Sequence, residues 1–176
     1  MNRQNMQNYQ MLTRVVDFGT NKVGSFPKTS AASEILAGLE SAVTRLSDQA
    51  SAQVSGEAAI RTSRNARTAA RTALRTRLEQ WERTARALNS DKFRAPLKRT
   101  DQALIDSGHA FVADVESLKK EFILHGLPPD EMKAAVEALE RAILDYTAAK
   151  AMRSAAIREF NKTMDDAMGY ACRPTP

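Results

Sequence analysis

The sequence predicts an all-α protein, an antiparallel bundle of long helices with up-down topology. Two long windows, residues 28–95 and 130–173, contain no proline, a residue that is expelled from helix interiors. Both windows are rich in Ala, Leu, Arg, Glu and Lys, the strongest helix formers. Aromatic residues make up only 6% of the chain and no segment alternates with a period of two, so we expect no β-sheet.

The N-terminal segment, residues 1–29, could contain one short helix over QNYQMLTRVVDF. Thr29 or Ser30 can then cap a second helix, with Glu34 in its first turn. In that helix the apolar residues recur at the three- and four-residue spacing of one buried face: Leu36, Leu39, Val43, Leu46 and Ala50.

Gly56 determines how the first window folds. An unbroken helix from about residue 31 to residue 88 would be about 87 Å long at 1.5 Å per residue. A break at Gly56 would instead give two shorter helices and a four-helix bundle. Glycine costs only about 1 kcal/mol against alanine within a helix, so both alternatives stay open. The unbroken helix would leave an overhanging leucine face, to be covered by the end of the last helix or by a second copy of the chain.

Two further helices follow the loop NSDKFRAPLKR. Thr100 or Asp101 can cap the first of them, and Gly126 can end it. Its apolar seam comprises Leu104, Gly108, Phe111, Val115, Leu118 and Phe122. Pro129 opens the last helix, which should end near residue 168, with Asp130 and Glu131 at the positive end of its dipole. Its predicted face comprises Val136, Leu139, Ile143, Tyr146, Met152, Ala156, Phe160 and Met164.

A chain of 176 residues suits one domain, which we expect over residues 1–176. Within it the bundle should cover residues 30–168 and a flexible tail residues 169–176. The single cysteine, Cys172, favours a reducing compartment, and the N-terminus has no apolar stretch of signal-peptide length. No window approaches the roughly 20 apolar residues of a membrane-spanning helix. These features predict a cytoplasmic protein with no membrane association.

Charge is distributed unevenly along the chain. The net charge is +5, but residues 61–99 carry twelve Lys or Arg and only three acids, a net charge of +9. On a helix of 3.6 residues per turn, six arginines fall within about 120° of one another. We call this set the arginine face: Arg61, Arg64, Arg67, Arg71, Arg75 and Arg86. A neighbouring face is apolar and includes Leu74, Leu78, Trp81, Ala85 and Leu88.

Three interpretations of the arginine face remain open. The arginines could be solvated or matched within the protein or by a second copy, since the two later helices each carry an excess of acids, among them Asp114, Glu116, Glu137 and Glu140. They could bind an acidic protein partner or another anion. They could also neutralise nucleic-acid phosphates, although Trp81 is the only aromatic residue nearby and no known reading-helix motif is present.

The sequence contains no recognisable catalytic or cofactor motif. Asp106 and His109 could share a helix face, as could Glu121 and His125, but a carboxylate-bridged metal bundle needs histidines on two helices and the last helix has none. Cys172 has no histidine near it in sequence. There is no phosphate-binding loop, nucleophile elbow or dinucleotide fingerprint. We therefore predict no enzyme activity, no cofactor and no metal site.

The order of several segments resembles a family of uncharacterised bacterial all-helical proteins. The segments are YQMLTRVVDFG, FPKTSAASEILAGLESAV, RTARAL, DKFRAP, DQAL and FILHGLPPDEM. The resemblance covers about residues 7 to 165 and implies a mostly helical fold with a long helix before RTARAL. It implies no activity and transfers no catalytic residue.

Together these observations favour a non-enzymatic structural or interaction protein, built as a helical bundle or coiled coil. It would act through self-association, as a homo-oligomer, or through an acidic protein partner. The alternative is an anion- or nucleic-acid-binding module that uses the arginine face within residues 61–86.

Overall fold

The computed structural model describes residues 3–22, 30–98 and 100–171, and these are all-α. The helices are α1 (Arg3–Asn21), α2 (Ala31–Ala87), α3 (Asp101–Asp114), α4 (Lys119–Leu124) and α5 (Pro129–Ala171). A 3-10 turn, Val115–Leu118, separates α3 from α4. The chain divides into two compact units, unit 1 with residues 1–58 and 150–176 and unit 2 with residues 59–149. The single domain expected over residues 1–176 stays a prediction.

Helix α2 runs without a break through Gly56, so the alternative with a helix–turn–helix at this glycine is not what forms. Gly56 faces α5, and a β-carbon added at Gly56 would be 3.4 Å from Cβ of Arg153. That distance is at the short end of ordinary van der Waals contact. The backbone of α2 is helical at Gly56, although glycine is a weak helix former.

Replacing Gly56 with alanine should raise the free energy of unfolding by up to about 1 kcal/mol, because alanine restricts the unfolded chain and favours the helix. The measurement is urea unfolding followed by circular dichroism, with size-exclusion chromatography of the folded variant. A changed elution volume, or a loss of stability, would contradict an unbroken α2 with space for a methyl group at this position.

Unit 1 buries the leucine face of α2 that the sequence left overhanging. Leu39 and Leu46 of α2 pack in one cluster with Leu12 of α1 and with Phe160 and Met164 of α5. The end of the last helix therefore covers part of this leucine face, which was one of the two alternatives expected from the sequence. Helix α1 also covers it. The N-terminal helix is longer than predicted, at 19 residues.

Polar contacts fix the register of α2 and α5 within unit 1. Gln49 Nε2 donates to Thr163 Oγ1 at 3.1 Å, and Arg153 Nη2 donates to Glu57 Oε1 at 2.7 Å. Residue numbers rise along α2 as they fall along α5, the pattern expected of antiparallel neighbours. The up-down topology of the whole bundle stays a prediction.

Unit 2 is built around four aromatic side chains that lie far apart in sequence. Trp81 of α2 contacts Phe93 from the loop after α2, Phe111 of α3 and Phe122 of α4. The ring centroids lie 4.6–6.2 Å from that of Trp81, and all four side chains are buried. We call this set the aromatic cluster. It holds the loop and three helices of unit 2 around one centre.

Capping interactions explain where the helices of unit 2 begin and end. Thr100 Oγ1 accepts from the backbone N–H of Ala103 at 3.2 Å, so Thr100 rather than Asp101 caps α3. Asn89, with a positive φ of 55°, follows the end of α2 by two residues. Gly126, with φ of 72°, follows the end of α4 in the same way, and the sequence predicted this glycine as the helix terminator. In each case the N–H of the positive-φ residue and the N–H of the next residue bond back to the last turn in the Schellman pattern.

Unit 1 has a comparable N-terminal cap. Ser30 Oγ accepts from the backbone N–H of Ser33 at 3.3 Å, whereas the alternative cap, Thr29, lies outside the described residues.

Three details of the predicted helices are wrong. The helix from Asp101 is interrupted by the 3-10 turn, and Leu118 is only partly buried. Met152 is 71% exposed, because 16 residues of helix place it about 160° away from Val136 around the axis. α5 continues to Ala171 rather than ending near residue 168, and Gly169 lies inside it. Residues 172–176, including Cys172, lie outside the described part of the chain.

Candidate interaction surface on helix α2

Two residues of the arginine face are tied to the start of α3. Arg67 Nε donates to Asp101 Oδ2 at 2.7 Å, and Arg71 Nε lies 3.3 Å from Asp101 Oδ1. The Arg67 guanidinium also lies over the Tyr146 ring, 5.3 Å from its centroid. Since Asp101 is the first residue of α3, its carboxylate also lies at the positive end of that helix dipole. This cluster joins α2, α3 and α5 within unit 2.

Two further arginines of this face are matched along α2 itself. Arg75 Nε donates to Glu79 Oε1 at 2.8 Å, and Arg86 pairs with Glu82, both at a four-residue spacing. Glu82 is also bonded to the loop, because its Oε2 accepts from the backbone N–H of Ala95 at 3.2 Å. Its side chain is only 19% exposed. Arg86 thus neutralises a carboxylate that holds the loop against α2.

Arg61 and Arg64 form the remaining part of the arginine face. Both are exposed, and neither has an ion pair with any residue that the structure describes. The six arginines therefore divide into four that are matched within unit 2 and two that present their charge to solvent.

The acids that the sequence suggested as partners of these arginines are located elsewhere. Glu116 lies 3.6 Å from Lys119, and Glu140 Oε1 lies 3.2 Å from His109 Nε2. Asp114 and Glu137 have no ion pair within residues 3–22, 30–98 and 100–171. The expectation that acids of the later helices oppose the arginines holds for Asp101, the first residue of α3.

A second cationic site on α2 was missed by the sequence analysis. Six residues of α2 line a groove: Ala73, Thr76, Arg77, Gln80, Arg83 and Thr84. Opposite them lie His125, Gly126 and Leu127 of the turn before α5, together with Glu131. Arg77 pairs with Glu131, and Arg83 Nε donates to the Glu79 carbonyl oxygen at 3.2 Å. We call this feature the polar groove.

The spacing of the α2 residues could have revealed the polar groove. Positions 73, 76, 77, 80 and 84 follow the three- and four-residue pattern of one helix face, on the side of the core opposite the arginine face. Their mixed character of small, hydroxyl, amide and cationic side chains differs from the apolar pattern that is normally searched for. The His125–Leu127 side of the groove has no such local signal, since only the turn at Gly126 brings it there.

The histidines do not form a metal site in the described part of the chain. Asp106 Oδ1 accepts from Gln102 Nε2 at 2.8 Å, whereas His109 Nε2 lies 3.2 Å from Glu140 Oε1. His125 contacts Glu121 through the backbone, its N–H donating to the Glu121 carbonyl at 3.1 Å. No group of three or more His, Cys, Asp or Glu residues suited to a metal ion occurs among the described residues.

No described helix combines enough length and hydrophobicity to cross a lipid bilayer. Comparisons of the chain with protein-family models, with curated proteins and with solved structures give no match.

Proposed function

We propose that this protein acts by association rather than catalysis, as a cytoplasmic helical protein whose exposed arginines bind an acidic protein partner. The observation that carries the proposal is the pair Arg61 and Arg64, two exposed guanidinium groups one helical turn apart on α2. Arginine forms bidentate hydrogen bonds with carboxylates, so two of them on a rigid helix suit a surface with two or more acidic side chains.

The pairing within unit 2 favours a protein partner over nucleic acid. A nucleic-acid face needs many phosphate contacts, since each one contributes about −0.9 to the slope of log K against log salt. With four of the six arginines matched by Asp101, Glu79 and Glu82, the two that remain would give a slope of only about −2. Such a face binds a duplex weakly at physiological salt.

The experiment measures binding of a fluorescent glutamate-rich peptide and of a generic DNA duplex at about 150 mM salt, where the Debye length is about 8 Å. The variant is Arg61→Glu with Arg64→Glu. We expect the peptide to bind the native chain and to lose at least about tenfold in affinity with the variant, as expected for the loss of two charge-assisted contacts. We expect no duplex binding at this salt concentration.

The matched control is Lys133→Glu with Arg141→Glu, which changes the charge of unit 2 by the same amount. Both residues are exposed on α5 and have no ion pair among the described residues. The control should have a much smaller effect on peptide affinity. An equal loss in both double variants would show a general charge effect and contradict a specific site. Micromolar or tighter duplex binding would make the arginine face a nucleic-acid site.

A second copy of the chain is the alternative partner, and one feature of unit 1 supports it. Met11, Val15 and Phe18 form an apolar stripe on the outer face of α1, and Phe18 is 64% exposed. Their spacing is that of one helix face. Light scattering coupled to size exclusion separates the alternatives: a mass that rises with protein concentration, and falls with Phe18→Ser, supports self-association. A constant monomer mass contradicts it.

A further inference from the structure

The polar groove of unit 2 has the composition of a binding site for a small acidic molecule. Two cationic side chains, Arg77 and Arg83, line the α2 side of the groove, together with Thr76, which precedes Arg77, and Thr84, which follows Arg83. Ala73, a small residue, also lines the groove. Charged and hydroxyl donors that converge on an open cleft are the polar groups that orient a ligand.

The opposite wall of the groove is held in place by a helix end. Gly126 has φ of 72°, and the backbone N–H of Leu127 donates to the Phe122 carbonyl at 2.9 Å. Leu127 and Phe122 are both buried in the core of unit 2. The wall that carries His125 is therefore anchored to the aromatic cluster, and a ligand would meet a preformed cleft rather than a free loop.

The Glu131 carboxylate shows that Arg77 can pair with a carboxylate inside the polar groove. This pair forms although 54 residues separate the two along the chain. Both side chains remain partly exposed, and ion pairs at such positions contribute only about 0–1 kcal/mol. A ligand carboxylate can therefore replace the Glu131 carboxylate at little cost.

The second cation requires a ligand with two separated anionic groups. Arg77 and Arg83 both line the groove, and the six residues between their positions correspond to about 9 Å along the helix axis and about 120° around it. Arg83 directs Nε to the Glu79 carbonyl, which leaves its terminal nitrogens as donors. We propose that the polar groove binds an extended dicarboxylate, with one carboxylate at Arg77 in the position of Glu131 and the other at Arg83. This site uses no residue of the arginine face and does not depend on the proposed partner.

The test is a titration of the intact, isotopically labelled chain with suberate, acetate and inorganic phosphate, followed by the amide resonances of Gly126 and Leu127. Suberate, which has a carboxylate at each end of a long chain, should bind about tenfold more tightly than acetate because it can contact both arginines. Phosphate, with a single anionic centre, should also bind more weakly than suberate.

Four variants assign the site. Glu131→Gln should tighten suberate binding about threefold, because Arg77 is released from an internal partner that contributes less than about 1 kcal/mol. Arg77→Gln should weaken the binding of both suberate and acetate about tenfold, whereas Arg83→Gln should weaken suberate alone. Arg141→Gln, an exposed arginine away from the groove, is the matched control and should change neither. Thermal melts of each variant verify that unit 2 is folded.

Several results would overturn the proposal. An unchanged suberate affinity in Glu131→Gln would show that Glu131 does not occupy the carboxylate position. Equal losses with Arg77→Gln and Arg141→Gln would show non-specific attraction. Phosphate binding more tightly than suberate would contradict the assignment to a dicarboxylate.

Discussion

Replacing Trp81 with alanine should lower the free energy of unfolding of this protein by about 3–5 kcal/mol, the usual cost of truncating a buried large aromatic residue. Trp81 is 0% exposed and contacts three other aromatic rings, from the loop after α2 and from α3 and α4. Its removal would leave a cavity at the point where these elements meet. Because native domains are stable by only about 5–15 kcal/mol, a loss of this size is a large fraction of the stability of a typical domain.

The measurement is equilibrium unfolding in urea followed by circular dichroism, since the variant lacks the only tryptophan. Trp81→Phe is the informative comparison. The Trp81 Nε1–H is buried without a hydrogen-bond partner in the described residues, so phenylalanine removes an unsatisfied donor as well as some apolar area. We expect a loss below about 1.5 kcal/mol for this change.

Leu97→Ala provides the matched control for apolar truncation. Leu97 lies in the same loop as Phe93 but is fully exposed, at 101% of its reference area. Its removal should change the unfolding free energy by no more than about 0.5 kcal/mol. Comparable losses in Trp81→Ala and Leu97→Ala would contradict a core centred on the aromatic cluster.

Helix existence, several helix ends and most of the buried faces were predictable, because each depends on residues close together in sequence. Proline-free windows marked α2 and α5, Thr100 and Gly126 marked two ends, and the spacing of Leu39, Leu46 and Phe160 marked buried faces. These features follow from backbone hydrogen bonding and from 3.6 residues per turn. They require no knowledge of which helix lies opposite.

The continuity of α2 at Gly56 could not be predicted, because its local free energy is too small. The glycine penalty of about 1 kcal/mol is comparable to what packing contributes at one position. The contact with Arg153, a residue 97 positions further on, is not visible in the local sequence. The residues around Gly56 are consistent with both a broken and an unbroken helix. In the unbroken helix that forms, Gly56 packs against Arg153 of α5.

The partners of the arginines could not be predicted for a related reason. The pairs Arg67–Asp101 and Arg77–Glu131 join residues 34 and 54 positions apart, and many acids satisfied the charge requirement equally well. Helical periodicity identifies the side of α2 on which a residue lies. The acid that faces it depends on the register and rotation of the neighbouring helix, which small shifts in packing decide. The candidate surface was therefore predictable as a face and not as a set of contacts.

Replacing Gly108 with valine should lower the free energy of unfolding by about 3 kcal/mol, at the upper end of the usual cost of overpacking. Gly108 is a buried residue of α3, and a β-carbon built there would lie 2.4 Å from Cγ2 of Val136 on α5. Leu74 of α2 limits the space on another side, with Cδ1 at 3.6 Å. Valine adds two more methyl groups, so the helices must separate or side chains must leave their preferred rotamers.

Ala110→Val is the control for the effect of valine on helix propensity, since Ala110 is exposed on the same helix. It should cost less than about 1 kcal/mol. Val136→Ala should also destabilise the native chain, because it creates a cavity. In the Gly108→Val background the same change should instead recover part of the lost stability, because it provides the space that the new side chain needs. Urea unfolding of the four chains measures this coupling, and simple additivity of the two single losses would contradict a close approach of α3 and α5 at Gly108.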